Sequence, residues 1–123
     1  VRFVFRHFPI TTIHPFAEIA AEAAEAAGAQ RKFWAMHDWI YEHQATLAPD
    51  DLLAAAAALG LEVERFASDV NAHRHEQKIR DDFMSGVRSG VNGTPTFFVN
   101  GVRHDGGYDL ESLLEAIGAA APV

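Results

Sequence analysis

Residues 1–8 alternate. Phe3 and Phe5 point to one side, and Arg2, Val4 and Arg6 to the other, the period-two signature of a half-buried strand. Pro9 and the Thr11-Thr12 pair break the run, and His14-Pro15 leads into a helix, because proline suits a first helical turn. From residue 16 to 27 the period becomes helical. Phe16, Ile19, Ala20, Ala23 and Ala27 form an apolar stripe, while Glu18, Glu22 and Glu25 form a second stripe expected to be solvated. Gly28 is expected to end this helix as a C-cap. A second helix is predicted over residues 30–44, with Phe33, Met36, His37, Ile40 and Tyr41 on its inner face and Trp34 and Asp38 off it. Pro49-Asp50-Asp51 starts a third, its carboxylates at the positive end of the helix dipole, and Gly60 ends it. Val63, Phe66 and Val70 mark a short fourth helix. A fifth is predicted over residues 73–89, with Ile79, Phe83 and Val87 inward.

The pattern changes after Ser89. Residues 90–95, Gly-Val-Asn-Gly-Thr-Pro, are a cluster of turn formers. Thr96-Phe97-Phe98-Val99 is β-branched and aromatic, hence a strand. Asn100-Gly101 is a strong hairpin signal of type I′, so Val102-Arg103-His104 should return alongside. Asp109 is placed to cap a final helix whose stripe is Leu110, Leu113, Leu114 and Ile117. The order is strand, helical block, hairpin, helix, which predicts a layered α/β domain.

Composition narrows the functions open to such a domain. The 123 residues are one domain's worth, and 49% hydrophobic with 22% charged is the globular norm. No apolar run reaches the roughly 18 residues of a membrane span. A net charge of −7, from 10 basic against 17 acidic residues, disfavours nucleic acid and anionic membranes as partners. There is no cysteine, which excludes disulfides, thiolate metal sites and cysteine chemistry within these residues. The first residue is Val1 rather than Met, and it opens directly into the strand pattern. The expectation is that the natural chain begins upstream.

Several side chains invite a chemical reading. Of the seven histidines, His73 and His75 are two apart and His37 and His43 six apart, neither of which faces one way on a helix, and His7 and His14 flank a turn. With no HExxH and no thiolate, no metal and no cofactor is expected. Asp50-Asp51 and Asp81-Asp82 lack the spacing of an acid/base couple. Arg74, Lys78 and Arg80 alternate with Glu76, Asp81 and Asp82, which reads as a solvated helix face rather than a nucleic-acid patch. The aromatics Phe33, Trp34, Trp39 and Tyr41 read as core or groove lining. The segment around Thr94-Pro95 stands apart. Proline just before a β-branched strand belongs at a strand's first position or a bend. It is either a plain loop end or a cis Thr94-Pro95 bond that presents the backbone of Thr94 to a partner.

Four stretches carry a family resemblance: residues 3–9 (Phe-Val-Phe-Arg-His-Phe-Pro), the helix over 17–27, residues 33–38 (Phe-Trp-Ala-Met-His-Asp), and residues 85–101, ending Gly-Thr-Pro-Thr-Phe-Phe-Val-Asn-Gly. Together they resemble the DsbA-like branch of the thioredoxin superfamily. The resemblance implies an α/β, thioredoxin-like fold with a helical insertion over about residues 16–89. It further implies a single partial domain over 1–123, truncated at its N-terminus, with the first strand and first helix absent.

The family catalyses thiol–disulfide exchange through a Cys-x-x-Cys motif at that absent position, so no catalytic residue carries over. Thr94 and Pro95 match the cis-proline loop, and the resemblance gives them substrate-side contacts, Thr94 through its backbone. The implied partner is a cysteine-containing protein or peptide. The missing strand would be central to the sheet, so the expectation, if these residues are stable alone, is either a homodimer in which a second copy fills the gap or a rearranged sheet. The leading expectation is a thiol–disulfide oxidoreductase or isomerase whose present 123 residues are redox-inactive alone, since the thiolate is the nucleophile. One alternative is a redox-dead peptide-binding module. Another is a relative of kappa-class glutathione transferases and chromene-carboxylate isomerases, which share this architecture and use an upstream Ser.

Overall fold

The computed structural model describes residues 1–120. They form α1 (Ala17–Gly28), α2 (Phe33–Glu42), α3 (Pro49–Ala58), α4 (Val63–Asn71), α5 (Glu76–Arg88), the strands β1 (Phe98–Val99) and β2 (Val102–Arg103), and α6 (Leu110–Ala120). The chain divides into two compact units, Val1–Arg88 and Ser89–Val123.

The first unit is organised around α1, which touches α2, α3, α4 and α5. Alanine makes this possible. Ala23, Ala24, Ala26 and Ala27 are buried, and such small side chains let neighbouring helices approach closely on several sides. Into that surface pack Met36 from α2, Leu52, Ala55 and Ala56 from α3, and Leu61 and Phe66 from the α4 end of the unit. Ile79 is the buried residue of α5. The predicted stripes of α1, α2 and α5 are only partly inward: Phe16, Tyr41 and Val87 are exposed.

The helix ends show where local chemistry departs from the pattern. Gly28 is the last residue of α1 rather than its cap. The left-handed residue is Arg31 (φ 66°), with Lys32 N–H returning to the Ala27 carbonyl at 2.9 Å. What Gly28 supplies is room, since a Cβ there would lie 3.3 Å from Phe33 Cβ. α2 is shorter than predicted because Gln30 is committed elsewhere. Its amide takes Glu62 N–H at 2.8 Å and donates to the Glu62 carbonyl at 3.2 Å, clamping the start of α4. Lys32 Nζ donates to the Leu59 carbonyl at the end of α3. Asp51 accepts the Ala48 N–H at 3.1 Å at the start of α3, and Gly60 ends that helix with φ 77°. α5 begins three residues late because His73 is left-handed (φ 51°) and breaks the run.

Residues 1–8 do not form a strand. A strand is defined by its ladder, and among the described residues no backbone–backbone hydrogen bond engages residues 1–9. The alternation survives as packing. Phe3 and Phe5 both meet Trp34, at 5.6 and 6.3 Å between ring centroids. Phe8 stacks on Phe83 at 4.5 Å. Arg6 Nη1 donates to Ser85 Oγ at 2.9 Å, and His7 N–H to Asp82 Oδ2 at 3.1 Å.

The acidic stripe of α1 is a second correction. Glu22 is 3% exposed and His7 5% exposed, because basic groups from distant positions cover that side of the helix. His73 Nδ1 lies 2.8 Å from Glu22 Oε1. Lys78 Nζ and His7 Nε2 approach Glu25 Oε1 at 3.3 and 3.5 Å.

In the second unit the sheet is a two-stranded antiparallel hairpin, Phe98 opposite Arg103 and Val99 opposite Val102. Asn100 and Gly101 both have positive φ (50° and 81°), the type I′ geometry the sequence predicts. Asp109 caps α6, accepting Ser112 N–H at 3.3 Å and Ser112 Oγ–H at 2.6 Å. These bonds hold its carboxyl below the usual carboxylate range. The predicted stripe of α6 is not a core: none of residues 89–120 is buried.

Candidate functional site

Thr94 and Pro95 lie in the second unit, where the loop enters the hairpin. The Thr94-Pro95 bond is cis, and both residues are exposed. The loop is braced from both ends. Thr96 Oγ donates to the Gly93 carbonyl at 2.6 Å. Arg103 on β2 reaches back, donating Nη1 to the Gly90 carbonyl at 3.0 Å with Nη2 3.5 Å from Asn92 Oδ1. Gly90 is left-handed (φ 82°), so the chain can reverse there without steric cost. His104 N–H donates to the Phe97 carbonyl at 2.8 Å and extends the pairing beyond the two-residue ladder.

With its neighbours tied in this way, Thr94 itself is free. Among the described residues no hydrogen bond engages its N–H or C=O, and Pro95 has no N–H to offer. A backbone donor and acceptor therefore stand side by side in water on a braced loop. Beside them is a shallow cleft of about 170 Å³, lined by Pro95, Thr96, Phe97, Arg103, His104, Asp105, Gly106 and Tyr108. His104 is fixed by the Gly107 carbonyl, 2.7 Å from Nε2. Arg103 Nε lies 3.6 Å from Asp105, so the cleft carries balanced charge. Such a site can hold an extended peptide through main-chain hydrogen bonds. It contains no thiol.

The family follows from the comparisons. The family model described as "DSBA-like thioredoxin domain" matches residues 7–118. The chain belongs to this family. The match spans both compact units, from the His7 segment through the Thr94-Pro95 loop to α6. The chain is also similar to curated proteins named Na(+)/H(+) antiporters. The NhaA 1 of Salinispora arenicola is 48% identical over 120 residues, which are 98% of this chain and 18% of that protein. The NhaA 1 of Mycolicibacterium vanbaalenii is 41% identical over 119 residues, 95% of this chain and 19% of that protein. The NhaA of Herminiimonas arsenicoxydans is 40% identical over 120 residues, 98% and 19% respectively. The chain thus spans less than a fifth of the length of these relatives. No solved structure matches it.

Arg74, Lys78 and Arg80 are each paired with a carboxylate: Asp69 at 2.6 Å, Asp82 at 2.8 Å and Glu76 at 2.6 Å. That is the solvated-face reading. His37 is bonded to Asp38 at 3.0 Å, and His43 is bonded to the Trp39 carbonyl and stacked on the Trp39 ring. The structure does bring together one group that spacing does not reveal. Glu22, His73 and Glu76 come from α1, the α4–α5 turn and α5. The sequence pattern did not point to Glu22, because its helical phase put it in the stripe expected to be solvated.

Proposed function

We propose that this chain is the peptide-contacting part of a thiol–disulfide exchange domain, binding cysteine-containing proteins or peptides at Thr94 and Pro95. The single observation that carries this reading is the unengaged backbone of Thr94 on an exposed, braced loop, at the position the family resemblance gives to substrate. On this reading residues 1–123 act as one domain, and the nucleophilic thiolate is contributed from outside them, because these residues hold no cysteine.

Two measurements test it. Titrating an unfolded, cysteine-containing peptide into isotope-labelled chain is expected to move the amide signals of Gly93, Thr94 and Thr96 before any others. Shifts confined to the aromatic surface at Trp34 and Tyr41 would place peptide binding elsewhere. Incubated with insulin and a reductant, the 123 residues are expected to add nothing to the background rate, and turnover by them refutes the need for an outside thiolate.

A second reading concerns the setting of the domain. The relatives named as antiporters are more than five times the matched length, while no helix described here is long and apolar enough to cross a membrane. We infer that this domain works as an extramembrane module of a larger transport protein. Blotting the natural gene product is expected to show a membrane-associated band several times larger than this chain. A band of this chain's size outside the membrane fraction would overturn the inference.

A further inference from the structure

Glu22 sits in the middle of the alanine-rich helix α1 with 3% of its surface exposed. A carboxylate in such a place needs a positive partner, because desolvating an unpaired charge costs several kcal/mol or more. Two further donor atoms converge on it. His73 Nδ1 is 2.8 Å from Glu22 Oε1 and 3.6 Å from Glu76 Oε2, and all three donor atoms lie within 4.8 Å of one another. A four-coordinate ion with bonds of about 2.0–2.2 Å holds its donors roughly 3.3–3.6 Å apart. The His73–Glu76 separation lies at the upper end of that range and the His73–Glu22 separation below it.

The surroundings suit an ion as well. The other oxygen of Glu76, Oε1, accepts Arg80 Nη2 at 2.6 Å. That bond fixes the carboxylate and turns Oε2 toward His73, the orienting role an outer partner plays at a metal centre. The side chain of His73 is 62% exposed, so the group opens to solvent and has an entry path. Glu18 lies one turn before Glu22 on α1. Three carboxylates then face Arg80 and His73, and the group keeps a surplus of negative charge even when the imidazole is protonated.

We propose that Glu22, His73 and Glu76 form a binding site for a divalent transition-metal ion, with one nitrogen and two oxygen donors and a fourth position left to water. The imidazole suits zinc and the carboxylates suit manganese; zinc is the probe of choice because three protein donors plus water is its common arrangement. The site ties α1 to the α4–α5 turn and to α5, so occupancy also cross-links the helical unit.

The experiment is calorimetric titration of the full chain with zinc chloride after treatment with a chelator. One-site binding is expected. His73→Gln and Glu76→Gln, both at solvent-accessible side chains, should each weaken it by roughly tenfold or more. His43→Gln serves as the control for zinc held by other surface histidines and should leave the affinity unchanged. In the unmodified chain, substoichiometric zinc should move the ring carbon-bound proton signals of His73 ahead of those of the other six histidines, a readout that needs no variant to fold. Unchanged affinity in His73→Gln, loss in His43→Gln, or no saturable binding would each overturn the proposal. The last result would leave His73 as the counter-ion of Glu22 and nothing more.

Discussion

Glu25 illustrates how far a residue's surroundings depart from its helical phase. The His7 imidazole, and then the Lys78 ammonium, hold its carboxyl below the usual carboxylate range, against burial that acts to raise it. His7 and Lys78 are the titratable groups that approach it, and Asp82 is bonded both to Lys78 Nζ and to the His7 N–H. A carboxyl whose pKa is lowered by folding contributes stability that is complete above its unfolded pKa and is lost as pH falls through the folded value. Glu25→Gln should therefore lower the melting temperature at pH 7, and the gap to the parent should close as the pH drops below the ordinary carboxylate range. A gap that stays constant down to pH 3 would show that Glu25 matters through packing alone. None of this was legible in the sequence. The partners lie 18 and 53 positions away, and an i, i+3, i+4 pattern records which residues share a face but not what comes to cover it. Phe66 was legible, since its place in the Val63, Phe66, Val70 triplet predicted burial and it is 2% exposed. Phe66→Ala should cost about 3–5 kcal/mol in urea unfolding, and a loss under about 1 kcal/mol would mean the surrounding alanine faces collapse into the cavity.

Two segments predicted as strands met different fates at the scale of elements. Residues 97–104 form a hairpin because their turn, Asn100-Gly101, supplies the two positive φ values that bring the partner strand back within the same segment. Residues 1–8 carry a regular alternation yet remain unladdered, because a strand's partner is a matter of tertiary structure and alternation does not supply one. The helices divide in the same way. α3 was predicted nearly to the residue, having proline at its first position, two aspartates in its first turn and a glycine just past its end, all local signals. α2 and α5 were predicted too long, since their true starts depend on Gln30 reaching Glu62 and on His73 turning left-handed, which are long-range or strained features. The hairpin's dependence on its turn can be measured. Gly101→Val places a β-branched residue at φ 81° and should cost the hairpin roughly 1–2 kcal/mol. The Phe98–Arg103 cross-strand signals should weaken while the helical circular dichroism stays unchanged. Intact pairing would show that Arg103 and His104, not the turn, hold the strands together.

The apolar residues are distributed unevenly over the molecule. All the buried residues described, from His7 to Ile79, belong to the unit Val1–Arg88, and none lies in 89–120. The pattern of apolar positions carried no warning of this. The stripe Leu110, Leu113, Leu114 and Ile117 is as regular as that of α4, yet Leu110 and Leu114 are 73% and 57% exposed. Periodicity reports that a helix has an apolar face and is silent on whether a surface exists to receive it. The Thr94-Pro95 loop therefore belongs to the unit in which no described residue is buried, while Glu22, His73 and Glu76 lie in the unit that holds all the buried ones. Local opening free energies follow buried contacts and backbone protection. Amide exchange of the full chain should accordingly separate into two classes. The amides of Ala23, Ala26 and Ala27 in α1 should exchange only when the whole helical unit opens. Those of α6 and the loop around Thr94 should exchange orders of magnitude faster. A peptide that binds at Thr94 through main-chain hydrogen bonds should slow the amides of the loop and hairpin and leave α1 untouched. Equal protection of α6 and α1 in the free chain would mean that the leucine stripe of α6 is covered in solution, and the size of the particle would then show whether a second copy covers it.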